Sequence, residues 1–99
     1  MVRVSEQAKM LLLERKRAAN IHEPDAGLRV AADPAGQWIL VADRPRSGDQ
    51  VVEHEGVTVL LVDPDTQSVL VGAMVDCLHT AEGETELALT RPGTRDGHA

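Results

Sequence analysis

The spacing of hydrophobic and polar residues changes several times along this chain, and each change predicts an element. Val2 and Val4 flank Arg3 and predict a short strand. SEQAKMLLLERKRAAN, residues 5–20, has the longer period of a helix, with Ala8, Leu11, Leu12 and Ala19 on one face and Glu6, Lys9, Lys16 and Arg17 mostly off it. Ser5 is placed to cap that helix and Glu6 to meet its dipole. Asn20 and IHEPD end it, because Pro24 cannot continue the hydrogen-bond ladder.

Beyond Pro24 the pattern alternates as strands do. GLRVAAD puts Leu28, Val30 and Ala32 on one side and Arg29 on the other. DPAG is a turn, and QWILVAD follows, with Trp38, Leu40 and Ala42 on one face and Ile39 and Val41 on the opposite one. After the loop RPRSGD, the segments QVVEH and VTVLLVD meet across Glu55-Gly56 as a hairpin. QWILVAD and VTVLLVD are apolar on both faces, which a strand lying on water does not need. They predict a sheet covered on both sides, or one whose second face is an oligomer surface.

Asp63-Pro64 is a helix start, with an acid at the cap and proline in the first turn. DPDTQSVL is then a short helix that stops by Gly72. AMVDCLHT and ELALT predict two more strands, the first with Val75, Cys77 and His79 on one face. RPGTRDGHA, residues 91–99, has no apolar periodicity and is expected to be a disordered tail. Residues 1–90 are expected to form a single α+β domain, rich in mixed or antiparallel sheet, with one N-terminal helix and one short helix.

Composition narrows the function classes. Of 99 residues, 42% are apolar but only one is aromatic, so the core is aliphatic and there is no platform for stacking bases. The formal net charge of -6 gains nothing from phosphate, which argues against nucleic acid and against an anionic membrane surface. No apolar run has the roughly 20 residues of a membrane span. MVRVSEQAKM lacks the apolar stretch of a signal peptide. These features predict a soluble, cytoplasmic protein.

Candidate chemistry is sparse. Along a strand, Glu53 and Glu55 share a face and His54 points away, so the three converge on an ion only if a bulge intervenes; turn chemistry is the simpler account. Cys77 sits among Met74, Val75 and Leu78, with no cation nearby to activate it. His79 reads as a strand residue, and His22-Glu23-Pro24-Asp25 as a loop. Asp63 and Asp65 are explained by helix capping. The phosphate-binding glycine loop, Cys-x-x-Cys, His-Glu-x-x-His and Gly-x-Ser-x-Gly are all absent, and Ser5, Ser47 and Ser68 have no evident base. The expectation is a protein that is not an enzyme.

A family resemblance rests on VSEQAKMLL, on GLRV at 27–30, on W-x-L followed by D-x-P at 38–45, on GDQVVEHEGVTVLLVDP, and on Leu70, Gly72 and Asp76. In this order and spacing the motifs resemble the HesB/IscA-like domain, the A-type iron–sulfur carriers, from Val4 to about Leu89. The resemblance implies that family's fold and its carrier or scaffold role. In the family three cysteines hold iron or a cluster, one from a Gly-Cys-Ser-Gly-like loop after GLRV and two from a C-terminal Cys-Gly-Cys.

This chain departs at all three positions. Gly36 is followed by Gln37, the tail has no cysteine, and Cys77 falls in a strand after Asp76. Oxygen donors cannot replace sulfur in a cluster, so no cofactor is supported. Asp33, Asp96 and His98 remain as weak candidates for holding a single iron ion. The function expected from the resemblance is a non-catalytic protein-binding or regulatory module. Its partners would be proteins of iron–sulfur or sulfur metabolism, or a second copy buried against Trp38, Ile39 and Val41. The alternative is an iron carrier or scaffold with non-cysteine ligands.

Overall fold

The computed structural model describes residues 2–90. The expectations for the tail at 91–99, and with them Asp96 and His98, lie outside the described residues. The elements run β1 (Arg3–Val4), α1 (Glu6–Ala18), β2 (Gly27–Ala32), β3 (Trp38–Asp43), β4 (Gln50–His54), β5 (Val57–Val62), α2 (Pro64–Val69), β6 (Met74–His79) and β7 (Thr85–Thr90). They form two sheets, one ordered β1-β6-β7 and the other β3-β2-β5-β4. Both sheets are mixed: β1 runs parallel to β6 and β2 parallel to β5, while the remaining pairs are antiparallel. The α+β, sheet-rich class read from the sequence is the class observed.

The core lies where α1 and the two sheets meet. Leu12, Val59, Leu60, Val62 and Leu70 are almost fully enclosed there, with Leu28, Val30 and Val75 around them. No Phe or Tyr takes part, so the interior is filled by branched aliphatic side chains. Ser5 starts α1 as expected: its hydroxyl accepts from the Ala8 N–H at 3.1 Å and donates to Asp76 Oδ1 on β6 at 2.6 Å. That bond, and then the Cys77 N–H, hold the Asp76 carboxyl below its ordinary range. Gln50 does similar work at the other end, exchanging two hydrogen bonds with the backbone of Val2 at 2.9 and 2.6 Å.

Local turn chemistry settles both hairpins of the four-stranded sheet. Glu55 and Gly56 have φ of 54° and 80°, the two positive values of the tight turn that matches strand twist. The β4–β5 register shifts between Val52 and Glu53, leaving Val59 as an extra residue on β5. Asp63 caps α2 by accepting from the Thr66 N–H at 2.8 Å. Gly27 is a close approach: a Cβ there would lie 2.9 Å from Thr58 Cγ2 and 3.3 Å from the Val59 carbonyl carbon. Its missing side chain lets β2 lie against β5.

Three expectations are corrected. Lys16, placed off the buried face of α1, is 2% exposed, and its Nζ donates to the carbonyls of Glu23 at 2.8 Å and Thr58 at 3.0 Å. Its four-carbon stem packs inward while the ammonium closes off carbonyls beyond the helix end. Burial lowers its pKa, against the opposing charges of Asp25 and Glu23. The buried face of α1 is accordingly Ala8, Leu12, Leu13 and Lys16; Leu11 is half-buried and Ala19 exposed. Thirdly, the two doubly apolar strands have opposite fates. β5 is central and buried from Thr58 to Val62, but β3 is an edge strand with Trp38, Ile39, Leu40 and Val41 all exposed.

Candidate functional site

Arg29 is the odd residue in an apolar strand, and its partners come from a distance. It pairs in register with Val41 on β3 and with Leu61 on β5, so it lies on the sheet face away from Leu28 and Val30. At 5% exposure its guanidinium donates to Asp49 twice, Nη1 to Oδ1 at 2.9 Å and Nη2 to Oδ2 at 2.7 Å. Nε donates to Asp43 Oδ2 at 2.7 Å, and Nη2 to the Arg44 carbonyl at 3.2 Å. The Arg46 N–H adds a bond to Asp49 Oδ2 at 2.6 Å. The cluster ties the loop at 44–49 across the sheet and spends four of the five guanidinium N–H groups within itself. The bonds from Arg29 hold Asp49 below the ordinary carboxylate range against the opposing effect of burial, and they raise the guanidinium pKa still further.

The loop after β2 is a closed turn. Asp33 Oδ1 accepts from the N–H groups of Ala35 and Gln37, both at 2.9 Å, while the Asp33 N–H donates to the Gln37 carbonyl at 2.8 Å. The Asp33 carboxylate shapes the turn through that oxygen. No group of three or more His, Cys, Asp or Glu residues placed to hold a metal ion occurs among the described residues.

The stretch at Glu53-His54-Glu55 resolves similarly. The bulge that convergence required is present, but it sits opposite, on β5. His54 lies 3.9 Å from Glu6 Oε2 and 3.8 Å from Glu55 Oε2, beyond hydrogen-bond range. Glu6 is a neighbour that no sequence spacing announced. His79 is an exposed strand residue whose Nδ1 lies 3.2 Å from the Thr85 hydroxyl. Cys77 is half-buried, and burial, with the charges of Asp76 and Glu14, pushes its thiol up.

What stands out is the β3 edge. Trp38, Ile39, Leu40 and Val41 are 39%, 39%, 37% and 40% exposed, on both faces of a strand with no neighbour on its outer side. Beside it an open groove of about 660 Å³ runs between the two sheets, walled by Leu12, Val30, Trp38, Leu40, Leu87 and Leu89. Arg15 and Glu86 are the charged residues on its lining. The arrangement offers apolar surface and unpaired backbone groups; it holds no converging acids, bases or nucleophile. Trp38, Ile39 and Val41, the interface candidates from the sequence, lie together on this edge, with Leu40 as an unforeseen fourth member.

The two sheets and two helices can now be set against known structures. Escherichia coli SufA, involved in the biosynthesis of iron–sulfur clusters, is similar with a TM-score of 0.67 and 18% identity, over 92% of this chain and 85% of that one. IscA with a 2Fe–2S cluster is similar at 0.56 and 19%, over 94% and 86%. A protein from Aquifex aeolicus is similar at 0.60 and 25%, over 92% and 91%. The chain has the HesB/IscA-like fold. No protein-family model matches it, and no curated protein does.

Within the HesB/IscA-like fold, the residues that carried the sequence resemblance are mostly frame residues. Ser5 and Asp76 join α1 to β6, Gln50 fastens the N-terminus, Gly27 admits a close strand, and Asp43 and Asp49 hold Arg29. The single cysteine of the chain lies on β6, remote in sequence from the β2–β3 turn. One cysteine per chain cannot supply the three thiolates that the sequence resemblance implies.

Proposed function

We propose that this protein is a non-catalytic, protein-binding or regulatory relative of the iron–sulfur carriers, working through the β3 edge and the groove beside it. Its partners are proteins of iron–sulfur or sulfur metabolism, a step taken from the fold it shares with SufA and IscA. The observation that carries the reading is the exposure of four consecutive apolar side chains on an edge strand, in a chain with one cysteine. A frame that keeps its buried polar ties but has one thiol for the whole chain fits a binding role better than cluster transport.

The test is anaerobic reconstitution with iron and sulfide, followed by desalting, an absorption spectrum and metal analysis. The expected product is colourless and metal-free. A brown product with stoichiometric iron and sulfide would overturn the reading. Stoichiometric iron without sulfide, lost in Asp33→Ala, Asp96→Ala or His98→Ala, would favour the carrier with non-cysteine ligands instead.

A further inference from the structure

We infer that the groove between the two sheets binds a medium-chain alkyl carboxylate, its chain laid along Leu87 and Leu89 and its head group on Arg15. The inference goes beyond the protein-binding reading and stands or falls without it.

It starts from a core left open at one end. Val30 is buried and lies opposite Leu40 in register, so Trp38 and Leu40 are on the core-facing side of β3. Leu87 and Leu89 lie opposite Cys77 and Val75, on the core-facing side of β7. Both β3 and β7 are edge strands. All four side chains wall the groove, yet Trp38 and Leu40 remain exposed and Leu87 and Leu89 half-buried. Facing sheets normally close their core with interdigitated side chains. In a chain without Phe or Tyr, aliphatic residues leave this end unfilled.

The size suits a small ligand. About 660 Å³ lies within the roughly 300–1,000 Å³ of small-molecule sites, which are mostly apolar with a few polar groups. Leu12 and Leu60 line the groove while almost fully buried, so it narrows as it deepens. That taper favours an unbranched chain over a helix or a strand.

The charge suits an anionic head. Glu86 alternates with Leu87 along β7, so its carboxylate projects from the face opposite the groove wall. Arg15 reaches the groove from α1, where Nη2 donates to the Thr85 carbonyl at 3.4 Å. This long contact is the guanidinium's one hydrogen bond among the described residues, and it uses one of five N–H groups. The remaining fork matches a carboxylate at the groove mouth. From Thr85 to Leu89 the wall runs about 13 Å, at about 3.3 Å per residue. With C–C bonds of about 1.5 Å, an extended alkyl chain advances about 1.3 Å per carbon, so about ten carbons span that wall.

The test is equilibrium dialysis of the full chain against labelled hexanoate, octanoate and decanoate below micelle formation, with Trp38 fluorescence read on the same samples. Decanoate is expected to bind one per chain, with dissociation on the order of 100 µM for about twelve non-hydrogen atoms. Each added methylene is expected to tighten binding about threefold to fourfold, and Trp38 emission to shift as the groove fills. Arg15→Gln is expected to weaken octanoate at least about threefold and to leave 1-octanol unchanged. Leu40→Glu, which sets a carboxylate in the wall, is expected to weaken decanoate at least about tenfold. Far-ultraviolet circular dichroism confirms that both variants fold. An absence of bound decanoate overturns the inference, and so does binding without chain-length dependence. Binding that leaves Trp38 unmoved and survives Leu40→Glu lies elsewhere and refutes the groove. Octanoate binding unchanged in Arg15→Gln refutes the carboxylate class. Affinity that falls as protein concentration rises assigns the groove to a second copy instead, which also overturns the inference.

Discussion

Removing the Asp49 carboxylate isolates the most concentrated polar contact in the protein. Asp49 is 1% exposed at its side chain and takes both ends of the Arg29 fork, at 2.9 and 2.7 Å. Breaking a buried ion pair by deleting one partner costs about 3–5 kcal/mol, since the other charge is left desolvated. Here Arg29 keeps Asp43 and the Arg44 carbonyl, so Asp49→Ala is expected to cost about 2–4 kcal/mol. Against the roughly 5–15 kcal/mol that holds a domain folded, this is a large fraction. Urea titration followed by Trp38 fluorescence measures it, and an Arg29→Met, Asp49→Leu cycle reports the coupling. The double variant should lose at least about 1 kcal/mol less than the sum of the singles, because it leaves no orphaned charge. The same contact has a pH signature. Because Asp49 is held below its ordinary value of 3.8, its contribution is complete above the unfolded-state pKa. It is lost as pH falls from there through the lower folded-state value, so acid unfolding should be shallower in Asp49→Asn. An Asp49→Ala protein within about 0.5 kcal/mol of wild type, or an additive double variant, would refute the reasoning.

Other outcomes follow from single contacts. Gly27→Ala should destabilise by about 1–3 kcal/mol in thermal melts, because its Cβ meets Thr58 Cγ2 at 2.9 Å and the Val59 backbone at 3.3 Å. Glu55→Asn should raise stability by about 0.5–1 kcal/mol, since asparagine accepts the φ of 54° more readily than glutamate does; an unchanged urea midpoint would count against the turn assignment. Cys77, half-buried and with its thiol pushed up by burial, should react with a disulfide reagent at neutral pH at least about tenfold more slowly than free cysteine. Equal rates would show that β6 opens readily or that the thiol is activated.

The sequence by itself determined what is local. Ser5 and Asp63 announced two helix starts, Glu55-Gly56 a hairpin, and the apolar run VTVLLVD a strand. Each follows from interactions within a few residues, or from a period that any burial must respect. Only the tertiary structure decided which neighbours meet across the chain. QWILVAD carries the same double apolar pattern as VTVLLVD, yet strand order put one at the centre of the sheet and the other at its edge. Lys16 fell on a polar position of the helix, and was buried because two carbonyls from 7 and 42 residues away needed a donor. Arg29 alternated outward from the core, and was enclosed because Asp43 and Asp49 arrived on the same face from 14 and 20 residues away. Periodicity fixes which way a side chain points relative to its own element; what waits there is set by the path of the rest of the chain.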